Sequence, residues 1–160
     1  MISHKTTHRV RYSDTDKMGF VHHANYFRWF EIGRSELFRH LGLSYKEIEA
    51  NGFFLPLSEV HCKYHSPSQY DDVLIIETTL DTSLKAGMKF DYHIYSEDEK
   101  TIIAKGYTKH ACVDRSGRVV RPPGFLTAVL CHTDQSSISN SSATKAQRRL
   151  SFNAYRFFKI

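Results

Sequence analysis

From Tyr12 to Arg34 the chain reads YSDTDKMGFVHHANYFRWFEIGR, with two aspartates, a glycine and two adjacent histidines just ahead of an aromatic run. These residue types can act on a carbonyl. A carboxylate, ordinarily ionised near neutral pH, can attack an acyl carbon or draw a proton from water. Backbone N–H groups at a helix start are unpaired and sit at the positive end of its dipole, so they can receive a developing oxyanion. Gly19, between the aspartates and the aromatic run, lets backbone approach a ligand closely. A D-x-D pair also caps helices and closes turns, so spacing alone leaves both roles open for Asp14 and Asp16.

His22 and His23 could join Asp16 around a metal, but a further ligand at recognised spacing is missing, and no metal is expected. Handling a proton or positioning a substrate suits them better, and a plain hydrogen-bonding role at the helix start is the alternative. His61, His65, His93 and His110 fall on strand-like stretches, mostly on the outward face. Other catalytic devices are missing: no G-x-S-x-G elbow, no G-x-G-x-x-G and no Walker A loop. Glu31 and Arg34, three apart, are expected to pair on the helix surface.

Residues 5–12 read as a strand, with Thr6, His8, Val10 and Tyr12 alternating against Lys5, Thr7, Arg9 and Arg11. From about Asn25 to Leu41 the spacing of Tyr26, Phe30, Gly33, Leu37 and Leu41 is helical. Phe27, Trp29, Ile32 and Phe38 widen the stripe, which predicts burial on more than one side. Asn25 suits an N-cap and Gly42 a stop, and Ser44 with Glu47 opens a second, short helix at capping-box spacing. From Leu55 the period becomes two, through LSEVHCKYH, DDVLIIETTL, MKFDYHIY and TIIAKGYTKHACV, with SEDEK as a hairpin turn. One strand, a long helix and four further strands predict an α+β fold with an antiparallel sheet around one helix.

The chain has 160 residues, 41% hydrophobic and 13% aromatic, which suits one packed domain. Of 22 Lys/Arg and 17 Asp/Glu, residues 125–160 hold five and one, leaving a nearly neutral 17 and 16 before them. The net charge of +5 is therefore a property of the tail, and no nucleic-acid partner is expected of the body. Any membrane association would run through that tail. Three scattered cysteines and an N-terminus without an apolar core make the cytoplasm the expected compartment. Residues 1–124 read as the domain. Residues 125–160 read as a polar, basic tail whose serine-rich stretch precedes RRLSFNAYRFFKI, a segment with helical spacing.

The stretch from Tyr12 to Arg34 resembles the signature of the hotdog-fold acyl-CoA thioesterases of the 4-hydroxybenzoyl-CoA thioesterase family: an aromatic residue, D-T-D, a glycine three residues on, a valine, and N-Y entering the long helix. A second match, YHSPSQYDDVLIIET, resembles that family's strand, proline-containing turn and following strand, and the similarity covers roughly residues 5–123. His23 resembles the bacterial branch often associated with the Tol–Pal envelope system. The resemblance implies a five-stranded antiparallel sheet wrapped around the central helix, and homodimers or homotetramers with active sites between protomers. It implies an acyl-CoA substrate and no cofactor beyond the coenzyme A of that substrate. By the same resemblance Asp16 is the catalytic carboxylate, His23 its companion, and amides at the helix start receive the thioester oxygen, while Asp14 looks like a turn-stabilising residue. The acyl group would lie against Phe20, Tyr26 or Phe27, and Lys85, Lys89, Arg118 and Arg121 are candidate partners for the phosphates of coenzyme A. The ending beyond RPP departs from the family's usual short closing helix.

Overall fold

The computed structural model describes residues 1–81 and 87–132. The serine-rich stretch and the segment 148–160 lie outside the described residues. The strand elements are β1 (Ile2–Arg9), β2 (Phe53–Phe54), β3 (Leu57–Tyr64), β4 (Val73–Asp81), β5 (Met88–Ser96), β6 (Ile102–His110) and β7 (Val113–Asp114). The helices are α1 (Asn25–His40), α2 (Tyr45–Ala50) and α3 (Gly124–His132). β1, β4, β5, β6 and β3 form one antiparallel sheet in that order, while β2 and β7 pair separately.

The period of two places Leu74, Ile76, Thr78 and Leu80 of β4 and Met88, Phe90, Tyr92 and Ile94 of β5 on the buried face. Against that face lies α1, which buries Tyr26, Trp29, Phe30, Leu37 and Phe38. The approach is close because residue 33 is glycine: a Cβ there would meet Thr78 Oγ1 and come within 2.9 Å of Ile76 Cγ2. Below α1, the Phe30 ring stacks on Tyr92 at 4.3 Å. Gly42 ends the helix with φ +78°. Ser44 and Glu47 form the expected capping box at the start of α2.

Several local expectations change. β1 begins at Ile2 and stops at Arg9, because Tyr12 to Asp14 curl into a 3-10 turn that leaves Tyr12 79% exposed. The apolar stripe of α1 is narrower than expected, with Phe27 and Ile32 facing outward. β3 is an edge strand, so Val60 and Tyr64 stay exposed although they alternate properly with Cys62, and Leu57, across a register shift before Glu59, is exposed as well. α3 packs back on the body, burying Leu126 and setting Phe125 against Phe53.

Candidate active site

The polar stretch before α1 folds into a hairpin. His22 donates its amide to Asp14 O at 2.8 Å, Thr15 bridges Val21, and Asp16 donates its amide to Phe20 O at 2.8 Å. Gly19, at φ +80°, turns the chain between the arms, and its amide closes the turn on Asp16 O at 2.9 Å. The two aspartates separate here. Asp14 is buried, its Oδ2 accepting the Arg11 amide at 2.9 Å and its carbonyl accepting Asn25 Nδ2 at 2.8 Å. Asp16 is only half-buried, and among the described residues its carboxylate accepts one hydrogen bond, from the Met18 amide to Oδ1 at 2.8 Å. Asp14 thus holds the turn, while Asp16 keeps an oxygen without a protein donor among the described residues.

Asn25 is not the N-cap. It is the first residue of α1, drawn inward because its side chain ties the helix to the Asp14 carbonyl. The first amides of the helix are engaged, Ala24 on His22 Nδ1 at 3.3 Å, Asn25 on His22 O at 3.0 Å and Tyr26 on His23 O at 3.3 Å. The His23 amide meets no protein acceptor among the described residues. His23 is exposed, its ring packed on His22 at 4.2 Å.

A cavity of about 320 Å³ opens at this point, lined by Phe20, His23, Tyr26, Tyr64, Ser66 and Pro67 among others. The Tyr64 hydroxyl donates to His23 O at 3.2 Å, and Tyr26 pairs with Ser68 Oγ at 3.1 Å. Burial pushes the Tyr64 phenol up to about 12, so it remains a neutral donor. A second cavity, about 400 Å³, lies between α1 and β3, walled by Phe27, Leu57 and Val60 and reaching Arg34, Tyr92 and His110. The structure therefore brings Phe20, His23 and Tyr26 together, with Asp16 joined to Phe20 through the backbone, and sets Phe27 in the second cavity.

The expected phosphate partners are scattered. Lys89 is held by both oxygens of Asp91 at 2.7 and 2.8 Å. Arg118 and Arg121 are exposed beyond β7, and Lys85 lies outside the described residues. Glu31 and Arg34 do not pair. Arg34 is 8% exposed and donates to the Tyr45 hydroxyl at 2.6 Å, because its position on the buried stripe turns it inward while Glu31 faces out. His110 is likewise buried, not outward-facing, since β6 continues the inward parity of Ala104 and Gly106 through Thr108 to His110. Following that parity past the apolar residues is the signal by which Thr108 and His110 could have been found. Among the described residues no cluster of His, Cys, Asp and Glu could hold a metal ion, and no helix is long and apolar enough to cross a membrane.

Comparison with known proteins places these features in a family. Residues 10–130 match the profile of the thioesterase-like superfamily. The acyl-CoA thioester hydrolase YbgC of Escherichia coli O6:H1 is 30% identical over 106 residues, covering 66% of this chain and 78% of that one. The crystal structure of a hypothetical protein from Aquifex aeolicus is 35% identical, with a TM-score of 0.74, covering 79% of this chain and 98% of that one. Slr0204, a 1,4-dihydroxy-2-naphthoyl-CoA thioesterase from Synechocystis, is 20% identical and shares the fold at a TM-score of 0.76, covering 82% of this chain and 98% of that one.

Proposed function

The chain belongs to the thioesterase-like superfamily, and we propose that within it this protein is an acyl-CoA thioesterase that hydrolyses its substrate with the carboxylate of Asp16. The observation that carries the reading is that this half-free carboxylate and the unoccupied His23 amide stand on one hairpin, with His23 and Phe20 of that hairpin lining the first cavity. The thioester carbonyl would direct its oxygen to the His23 amide, where negative charge develops. Asp16 would then act on the carbonyl carbon directly, giving an anhydride that water opens, or take the proton of an attacking water. Either route consumes one water, breaks the C–S bond and releases a carboxylic acid and the coenzyme A thiol. The thiolate is a good leaving group, so no strong general acid is required.

The reading carries its context with it: a sheet wrapped around α1, a homodimer or homotetramer with the site near the protomer boundary, a cytoplasmic location, and no cofactor besides the coenzyme A of the substrate. Phe20 and Tyr26 would flank the thioester and Phe27 the start of the acyl chain. Of the basic residues, Arg118 and Arg121 are exposed and have no side-chain partner among the described residues, so they would be available to the phosphates of coenzyme A, whereas Lys89 would first have to leave Asp91.

Thiol release by the purified protein across a panel of acyl-CoA thioesters tests the proposal. Asp16→Asn, which removes charge with little change of shape, should lower kcat by about 10²- to 10⁴-fold while the protein stays folded. His23→Ala keeps the backbone amide and should lower activity less. Undiminished turnover by Asp16→Asn would end the proposed role, and binding of acyl-CoA without thiol release would make the protein a binding module.

A further inference from the structure

The second cavity ends in an arginine whose bonding is incomplete. Four polar side chains gather there: Arg34 from α1, Tyr92 from β5, and Thr108 and His110 from β6. Directions can be assigned around them. His110 Nδ1 lies 2.9 Å from Leu55 O, and a carbonyl oxygen only accepts, so Nδ1 carries the proton. Nε2 then accepts from the Thr108 hydroxyl at 3.0 Å, and Thr108 Oγ1 accepts from Tyr92 at 2.9 Å. That chain is closed and satisfied. It leaves nothing for Arg34, whose Nη1 stands 3.2 Å from a ring nitrogen that is already a donor.

Among the described residues Arg34 therefore has one acceptor, the Tyr45 hydroxyl, for a fork of five N–H donors. Its guanidinium lies 4.9 Å from the centre of the Tyr45 ring and 6.0 Å from that of Phe90, contacts that supply no hydrogen-bond acceptor to its edges. Among the described residues no carboxylate forms an ion pair with it. Glu31 lines the same cavity nearer the helix start, but it is exposed and its charge is screened by solvent. A buried cation lacking a counter-charge is costly, and a planar fork is suited to a carboxylate.

The position of Arg34 fits one end of a substrate. Phe27, Glu31 and Arg34 follow one another at four and three residues on one stripe of α1, and His23 lies two residues ahead of the helix. At 1.5 Å per residue, Arg34 stands about 10 Å along the axis from Phe27, and its side chain leans back toward the helix start. β3 runs beside this stripe, with Tyr64 at the first cavity and Val60 and Leu57 at the second. An acyl chain whose thioester sits at His23 would cross the apolar wall of Phe27 and Val60 before its far end met Arg34.

We infer that the second cavity receives the distal end of the acyl group and that Arg34 there pairs with a terminal carboxylate, so that the preferred substrates are ω-carboxyacyl thioesters of medium length. The inference rests on the thioesterase reading and names the substrate class for the same site. Its chemistry adds no step: the thioester is hydrolysed as before and the product is a free dicarboxylic acid.

The test compares adipoyl-, suberoyl- and sebacoyl-CoA with hexanoyl-, octanoyl- and decanoyl-CoA, using the full chain, Arg34→Met and Arg34→Lys. For at least one length the wild type should favour the ω-carboxyl member in kcat/KM by about ten- to hundredfold, the range of one charge-assisted hydrogen bond. Arg34→Met should abolish that preference mainly through KM while keeping turnover of the neutral thioester, and Arg34→Lys should retain part of it. A purely structural arginine would lower both series alike, and that result, or equal wild-type rates at every length, overturns the inference. Calorimetric binding of S-(7-carboxyheptyl)-CoA against S-octyl-CoA, thioethers that cannot be hydrolysed, reads the subsite independently of turnover. Thiol release from none of the thioesters, with tighter binding of the carboxyl thioether, would remove the thioesterase reading and leave the subsite standing. Equal binding of the two thioethers would remove the subsite.

Discussion

His110 shows how far one side chain depends on where a strand puts it. Burial, with the Arg34 charge beside it, pulls the imidazole down from 6.5 to about 4, and its bond to Leu55 O opposes that only in part. The sign follows from linkage. Between pH 6.5 and 4 the unfolded chain takes up a proton that the folded protein refuses, so stability present above 6.5 is lost as the pH falls through that window. The gap corresponds to about 3 kcal/mol, since tenfold in proton affinity is about 1.4 kcal/mol. Urea unfolding at pH 7 and pH 4.5 should show a loss of that order in the wild type and a clearly smaller one in His110→Gln. Parallel losses in both proteins would contradict the assignment. Asp14 and Asp16 make the same point without titration: identical side chains two residues apart, one closing a buried turn and the other half open to solvent.

The close seating of α1 on the sheet positions the hairpin and the groove, and Gly33 permits it. Alanine is the better helix former by about 1 kcal/mol, but overpacking a filled core costs about 1–3 kcal/mol. A Cβ at position 33 would meet the side chains of Thr78 and Ile76 in β4, a rigid central strand, so the clash outweighs the propensity. Gly33→Ala should lower the free energy of unfolding by about 1–2 kcal/mol, read by denaturant melts. The Thr78 hydroxyl has no hydrogen-bond partner among the described residues, so Thr78→Ala in the Gly33→Ala background should restore much of the loss. Additive effects of the two changes would show that they do not touch. The helix itself was plain in the sequence, since residues 26, 30, 33 and 37 repeat its period. What that period hid was Arg34, a charged residue on the buried stripe, read by type as a surface partner of Glu31 although spacing placed it inside.

β3 leaves the molecule with an open edge. Leu57, Val60 and Tyr64 are 54, 40 and 44% exposed along a strand whose outer side has no neighbour among the described residues, an arrangement that invites pairing. The proposed homodimer or homotetramer would cover it, and the groove lies beside it. Val60→Lys should weaken assembly by about 3 kcal/mol or more, a hundredfold or greater change in the dissociation constant, because it would bury a charge without a partner. Light scattering across a dilution series measures this, and hydrolysis should fall together with assembly. A wild-type monomer that is fully active at micromolar concentration would refute the oligomer.

By itself the amino-acid sequence determined the alternation of one strand, a long helix and four strands, and the concentration of carboxylate, histidine and glycine before that helix. These are local matters: period, turn residues and motif spacing act within a few residues of one another, so they can be read from order along the chain. Only the tertiary structure decided which aspartate is buried, that Asn25 ties the helix to Asp14 instead of capping it, and that Arg34, Tyr92, Thr108 and His110 meet at one end of a groove. Those four come from one helix and two strands, 76 residues separating the first from the last. Burial and hydrogen-bond supply depend on which distant segments pack together, and no local pattern carries that information.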